Sequence, residues 1–207
     1  MRIFSQKNRR KDMKAENNIA FKEWAVVVDA LGQGKQILIL RKGGIREEAG
    51  EFRIEHNEFF LFPTYEHQNK VDLKAGVHQN LDIAARSKPD FSSFPIGFYV
   101  QVAGVICITD ESDLKQLEPY HVWSSEAVQK RFHFGHQKGL FAIAAKVSRL
   151  PSPHLISVTT EYSGCKSWVE LEQSLSTRGA KPVLSDPEFQ MKWEALSSIF
   201  SGLSRNS

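Results

Sequence analysis

The sequence predicts an α+β domain with a mixed or barrel-like sheet and a helical C-terminal extension. Three observations carry that prediction. Short apolar runs bounded by Gly, Pro or polar residues, at Gln36–Arg41, Phe59–Phe62, Tyr99–Ile108 and Leu140–Val147, read as buried strands. Stretches with apolar residues at helical spacing lie between them. Beyond residue 157 the pattern becomes helical. The composition agrees: 207 residues, 41% hydrophobic and 25% charged, supply one domain of ordinary size with a sizeable core.

Taken in order, residues 1–18 hold Arg2, Lys7, Arg9, Arg10, Lys11 and Lys14 against Asp12 and Glu16. They are expected to form a disordered basic tail. The other 189 residues carry 21 basic and 22 acidic side chains, so the body is near neutral despite the overall +3. Strong non-specific nucleic-acid binding, which needs clustered phosphate contacts, is disfavoured. The core is expected over 19–157. Phe21, Trp24, Ala25, Val28 and Leu31 share one helical face, with Asn18 as N-cap and Gly32 or Gly34 as the stop. The strand Gln36–Arg41 follows, and Glu47, Glu48 and Glu51 fall in a charged hairpin or loop. Phe59–Phe62 is a strand ended by Pro63, and the polar stretch 64–95 reads as an inserted loop or helical excursion. After the strand Tyr99–Ile108 come an acidic helix start at Thr109–Asp113 and a helix opened by Ser124. The strand Leu140–Val147 is ended by Pro151-Ser152-Pro153. Residues 158–207 are expected as a helical extension packed on the core. Trp168, Leu171 and Leu175 mark one helix in it. The capping box Ser185-Asp186-Pro187-Glu188 opens another that bears Phe189, Trp193, Leu196 and Phe200.

Several function classes lose support at this level. No apolar run is long enough to span a bilayer, and no apolar stretch follows the basic start as in a secretory signal. Two cysteines make no disulfide framework, which points to the cytoplasm. Gly32-Gln33-Gly34-Lys35 lacks the spacing and the hydroxyl residue of a phosphate loop. "GGIREEAGEF" lacks the long separation between glycines and Arg-Glu that a nucleoside-diphosphate hydrolase box uses to hold metal. His133 and His136 have no further ligands near them in sequence, so no metal site and no cofactor are expected. There is no DNA-binding signature. Cys165, before an expected helix and beside Lys166, has the setting of an activated thiol.

The segments "FKEWAVVVDALGQGKQILILRKGG", "FFLFPTYEHQ", "FHFGHQKGLFAIAAKVSRLPSP" and "EYSGCKSWVEL" together resemble the bacterial family catalogued as domain of unknown function 1802, which implies no established activity. A more distant similarity is to ASCH domains, carried by Gly34-Lys35 and Leu40-Arg41 in approximate match to a Gly-x-Lys-x-x-Glu-x-Arg pattern. That similarity implies a mixed, partly closed PUA-like β-barrel with flanking helices, and a partner that is RNA or a modified base. Some ASCH proteins are amidohydrolases for acylated cytidine, using a Lys and a Glu near the motif. Ile39 stands here where that Glu is expected, which removes the general base. The leading expectation is a non-enzymatic binding module that contacts RNA or a modified nucleotide through Lys35, Arg41, Lys42, Tyr65, Glu66 and His67. One alternative is a small amidohydrolase-like enzyme with Lys35, Tyr65, Glu66, His67 and Cys165 in its cleft. Another is a protein-interaction module using the Phe189/Trp193/Phe200 stripe. No catalytic residue is assigned.

Overall fold

The run Phe59-Phe60-Leu61-Phe62 has no polar face, and the computed structural model shows why. Phe59 and Leu61 enter one hydrophobic core, while Phe60 and Phe62 enter another on the opposite face of the same strand. The structure describes residues 3–5, 12–42, 45–48, 51–66, 68–79, 81, 93–135, 139–157, 159, 162 and 167–203. Their elements run β1 (Ile3–Ser5), β2 (Glu16–Trp24), α1 (Ala25–Gly32), β3 (Leu38–Arg41), β4 (Ile45–Glu48), β5 (Glu51–Ile54), β6 (Glu58–Thr64) and β7 (Ser93–Ile108). There follow α2 (Leu114–Leu117), α3 (Ser125–His133), β8 (Leu140–Ser157), β9 (Trp168–Ser176), β10 (Lys181–Pro182) and α4 (Asp186–Leu203). The class is α+β. One mixed sheet has the order β10-β8-β7-β6-β2-β9, with β1 added to β7 and β3 to β8. β2 and β6 run parallel, and the other described pairings are antiparallel. The sheet is not closed by backbone pairing among the described residues. β4 and β5 form the charged hairpin as a separate two-stranded sheet.

Several expected elements change type or length. The helix expected from Phe21 to Leu31 is a strand as far as Trp24 and a helix only from Ala25. β2 lies between β6 and β9, and its residues Ala20–Glu23 are buried whichever face they point to, so no periodicity survives in them. The β-branched Val26, Val27 and Val28 are helical because α1 is buried nearly all round, and packing outweighs propensity. Gly34, at φ +67°, then stops the helix, with its N–H and that of Lys35 donating to Leu31 and Ala30 carbonyls. The helix expected over Ser167–Leu175 is the edge strand β9, in which Val169 and Leu171 are buried and Glu170 and Glu172 exposed. β8 continues through Pro151 and Pro153, because among the described residues it pairs past Arg149 only with β7, and its other edge needs no N–H donors there. The segment expected as a basic tail contributes β1, paired to Gly104–Ile106, and the start of β2. Within 64–95, single 3-10 turns form at Lys70–Asp72 and Ala75–Val77, and β7 begins at Ser93.

Both helix openings read from sequence are present. Ser124 caps α3 by accepting the Ala127 N–H at 3.2 Å. In α4, Ser185 Oγ accepts the Glu188 N–H at 3.4 Å, and Glu188 Oε2 accepts the Ser185 N–H at 2.8 Å. Phe189 and Leu196 of α4 join the main core, Trp193 packs against it half-buried, and the Phe200 side chain lies outside the described residues. No described helix is long and apolar enough to cross a membrane.

The segment 121–123 passes beneath α3, with Trp123 fully buried. His121 is 5% exposed, yet neither ring nitrogen has a hydrogen-bond partner among the described residues. Burial pulls its pKa down to about 4, with help from Lys74 and Arg131 and against Glu118 and the nearby Trp123 backbone, which does not meet the ring in hydrogen-bond geometry.

Two outcomes follow. A Cβ at Gly32 would lie 2.2 Å from Phe98 Cζ, so Gly32→Ala is expected to lower urea-unfolding stability by about 1–3 kcal/mol. The folded His121 value lies below the ordinary 6.5, so the unfolded chain binds the proton first as pH falls. Its contribution to stability is complete above about pH 6.5 and is lost on the way down to about pH 4. Thermal melts across that range should fall for the wild type and clearly less for His121→Leu.

Candidate functional site

Glu23 is the last residue but one of β2, and its side chain is only 1% exposed. A carboxylate is rarely buried to that degree without full pairing. Its Oε1 accepts the Trp24 N–H at 2.9 Å. Its Oε2 has no hydrogen-bond partner among the described residues and stands 3.8 Å from Arg41 Nη1. Arg41, the last residue of β3, lies with its guanidinium 4.7 Å from the centre of the Phe21 ring. Its Nη2 donates to Ser167 Oγ at 2.7 Å, just before β9 begins. The side chain thus bridges strands at the two sides of the open sheet, and curvature rather than sequence proximity brings them together.

A second guanidinium approaches from above. Arg131 on α3 stacks 3.3 Å from the Trp123 ring centre and lies 5.8 Å from that of Trp24. Burial draws its pKa down, Glu23 and Asp72 oppose the fall, and Arg41 adds to it. Trp24 and Trp123 meet edge-on at 4.7 Å. Across the site, half-buried Trp168 packs edge-on against Phe21 at 4.6 Å and Phe59 at 5.1 Å. The loop after β6 is fixed to this end of β2. Thr64 Oγ1 donates to the Glu23 carbonyl at 3.2 Å, and the Gln68 amide joins the Val26 N–H to the Thr64 carbonyl. The result is one buried carboxylate oxygen without a hydrogen-bond partner among the described residues, near guanidiniums held on aromatic faces.

The residues singled out from sequence are distributed more widely. Arg41 is in this cluster. Lys42 is beside it in sequence, but its ammonium donates to the Phe132 and Gly139 carbonyls at 2.8 Å each, tying the end of α3 to β3. Lys35 is exposed in the turn between α1 and β3, at the other end of that strand from Arg41. Tyr65 is half-buried and stacked on Phe94 at 6.0 Å, and burial raises its pKa. It lines a separate cleft of about 550 Å3 with Pro63, Phe98 and Arg149. Glu66 is exposed in the turn that follows. His67 and Cys165 lie outside the described residues. Glu23, Arg131, Trp24 and Trp168 were not recognised from sequence as site residues. The usable signal is the charged pair Lys22-Glu23 inside the otherwise apolar stretch Phe21–Val28. Among the described residues, no three His, Cys, Asp or Glu side chains converge as metal ligands.

The family model for DUF1802, a domain of unknown function, matches residues 20–195. The chain belongs to that family. No curated relative matches it. Three solved structures resemble this DUF1802 chain in fold, all of ASCH from Zymomonas mobilis. ASCH itself has 10% identity and a TM-score of 0.38, covering 87% of this chain and 93% of that one. Two of its single-site mutants have 11% and 9% identity, with TM-scores of 0.42 and 0.39. Each covers 86% of this chain, against 96% and 94% of their own. Within the DUF1802 chain, Lys42 and Arg41 should separate experimentally. Lys42→Met, which removes the ammonium from the Phe132 and Gly139 carbonyls, is expected to cost about 1–3 kcal/mol in urea unfolding. Arg41→Gln takes a charge from beside the buried Glu23 and should cost a similar amount, but unlike that of Lys42→Met its cost should be largely relieved by adding Glu23→Gln.

Proposed function

We propose that this protein is a cytoplasmic, non-enzymatic binding module for RNA or a modified nucleotide, and that the ligand enters the Glu23–Arg41–Arg131 cluster. The observation that carries the reading is the buried Glu23 Oε2, without a hydrogen-bond partner among the described residues and 3.8 Å from Arg41 Nη1. A carboxylate oxygen left that way costs about 1–3 kcal/mol or more, and a ligand N–H recovers it. A nucleobase edge supplies such a donor. The guanidiniums of Arg41 and Arg131 suit its carbonyl or a phosphate, and the half-buried Trp24 and Trp168 offer faces on which a base stacks. The near-neutral body fits recognition of one or a few nucleotides rather than long charged tracts.

Protein purified at low salt is expected to carry material absorbing at 260 nm and a nucleotide-sized or RNA adduct in native mass spectrometry. Arg41→Gln and Glu23→Gln should each lose it while keeping the wild-type circular dichroism spectrum. Apo protein that binds no RNA or nucleoside at low salt would overturn the proposal.

One observation favours a second reading. Ile39 is buried in the core and supplies no base, but Glu23, on β2 at the other side of the sheet, brings a carboxylate to Arg41. Hydrolysis of an acylated base would use Glu23 to activate water and the guanidiniums to hold the developing oxyanion. Release of acid from acylated cytidine by the wild type, lost in Glu23→Gln, would select this reading over simple binding.

A further inference from the structure

A second opening lies on the other side of the 121–123 segment, between α2 and the first turns of α3. Its volume is about 530 Å3, within the range of small-molecule sites. Leu114 and Val128 give it apolar walls, and Glu111, Glu118 and Ser125 stand around it. His121 lines it as well, and this residue makes the opening more than a surface dent. Only 5% of the residue is exposed, and neither ring nitrogen has a hydrogen-bond partner among the described residues.

The ring is not left bare by a loose backbone. The His121 carbonyl accepts the Lys74 ammonium at 2.7 Å, and the Val122 N–H donates to Gln36 Oε1 at 3.1 Å. Nor do the neighbouring polar groups turn to it. Ser125 Oγ donates to Glu118 Oε1 at 2.7 Å, and Glu111 Oε2 pairs with His133 Nε2 at 2.9 Å. With a pKa pulled down to about 4, the ring is neutral at pH 7 and offers one donor and one acceptor. Lys74 behind the ring disfavours a cationic head group. Glu111 and Glu118 around the opening outnumber Lys115 on the same rim and disfavour an anionic one.

We propose that this cavity is a second binding site, taking a small uncharged ligand whose polar head, a carboxamide or similar group, hydrogen-bonds His121 while its apolar body lies against Leu114 and Val128. The site is separate from the Glu23 cluster and does not depend on the nucleotide reading.

Benzamide, benzoate and benzylamine are matched probes for it, titrated at pH 7 into the full chain with the His121 ring followed by long-range 1H–15N NMR. Benzamide is expected to shift the His121 ring signals saturably, and the two charged probes to do so only at far higher concentration. His121→Leu should bind benzamide about tenfold more weakly or not at all, the loss of a hydrogen bond and its polar partner. His121→Gln, which keeps a donor and an acceptor, should bind within a few-fold of wild type. His121→Leu should also melt no lower than the wild type without ligand, since it removes a buried polar group with no partner; this separates lost binding from lost folding. The proposal is overturned if benzamide gives no saturable shift, if His121→Leu binds it as the wild type does, or if a charged probe binds as tightly.

Discussion

The bridge from Arg41 to Glu23 and Ser167 depends on one constraint, the curl of a sheet whose central strands β2 and β6 are buried on both faces. β3 lies on one side of the hydrogen-bonded order, beyond β8, while β2 and β9 lie at the other end. In a flat sheet their ends would be far apart. Here the end of β3 reaches Phe21, Glu23 and Ser167 through a single guanidinium. Among the described residues backbone pairing leaves the sheet open, and side chains span the gap. A side-chain bridge is weaker and more adaptable than a ladder of backbone hydrogen bonds, and it leaves polar atoms available where the strands meet.

The core makes that curl affordable. β6 feeds Phe59 and Leu61 to one face and Phe60 and Phe62 to the other, each side chain worth about 1.5–3 kcal/mol on burial. A polar staple crosses the same strands: Asn17 on β2 donates to the Glu58 carbonyl, and Tyr99 on β7 donates to Glu58 Oε2 at 3.1 Å. Burial first, together with Glu58, raises the Tyr99 pKa and keeps the phenol protonated. This network satisfies its members. Glu23 and His121 contrast with it, because each is buried with polar atoms that lack a partner among the described residues. Stability gains nothing from such atoms, and both occur beside the 121–123 segment or the bridge rather than in the interior of the sheet.

Parallel pairing adds the remaining geometry. Because β2 and β6 run side by side in the same direction, both chains leave the sheet at one end. One leads into α1 and the other into the loop that Thr64 and Gln68 pin down. That shared exit is where the cluster forms, as open sheets tend to place ligand sites beyond strand ends.

The sequence alone determined the class, the strands Phe59–Phe62, Tyr99–Ile108 and Leu140–Val147, and both capped helices, because each rests on local chemistry: apolar runs, a Ser N-cap, a capping box. It also drew attention to Arg41. Only the tertiary structure decided that Phe21–Trp24 and Trp168–Leu175 are strands, since neighbours on both edges of β2 override a helical spacing that eleven residues can show by coincidence. Only tertiary structure separated Arg41 from Lys42, giving one to the cluster and the other to two carbonyls. Glu23 and Arg131 belong to strands and helices far apart in sequence, and Ser167 lies 126 residues from the side chain it binds. No local pattern encodes a contact of that range, because it is set by how far the whole sheet bends.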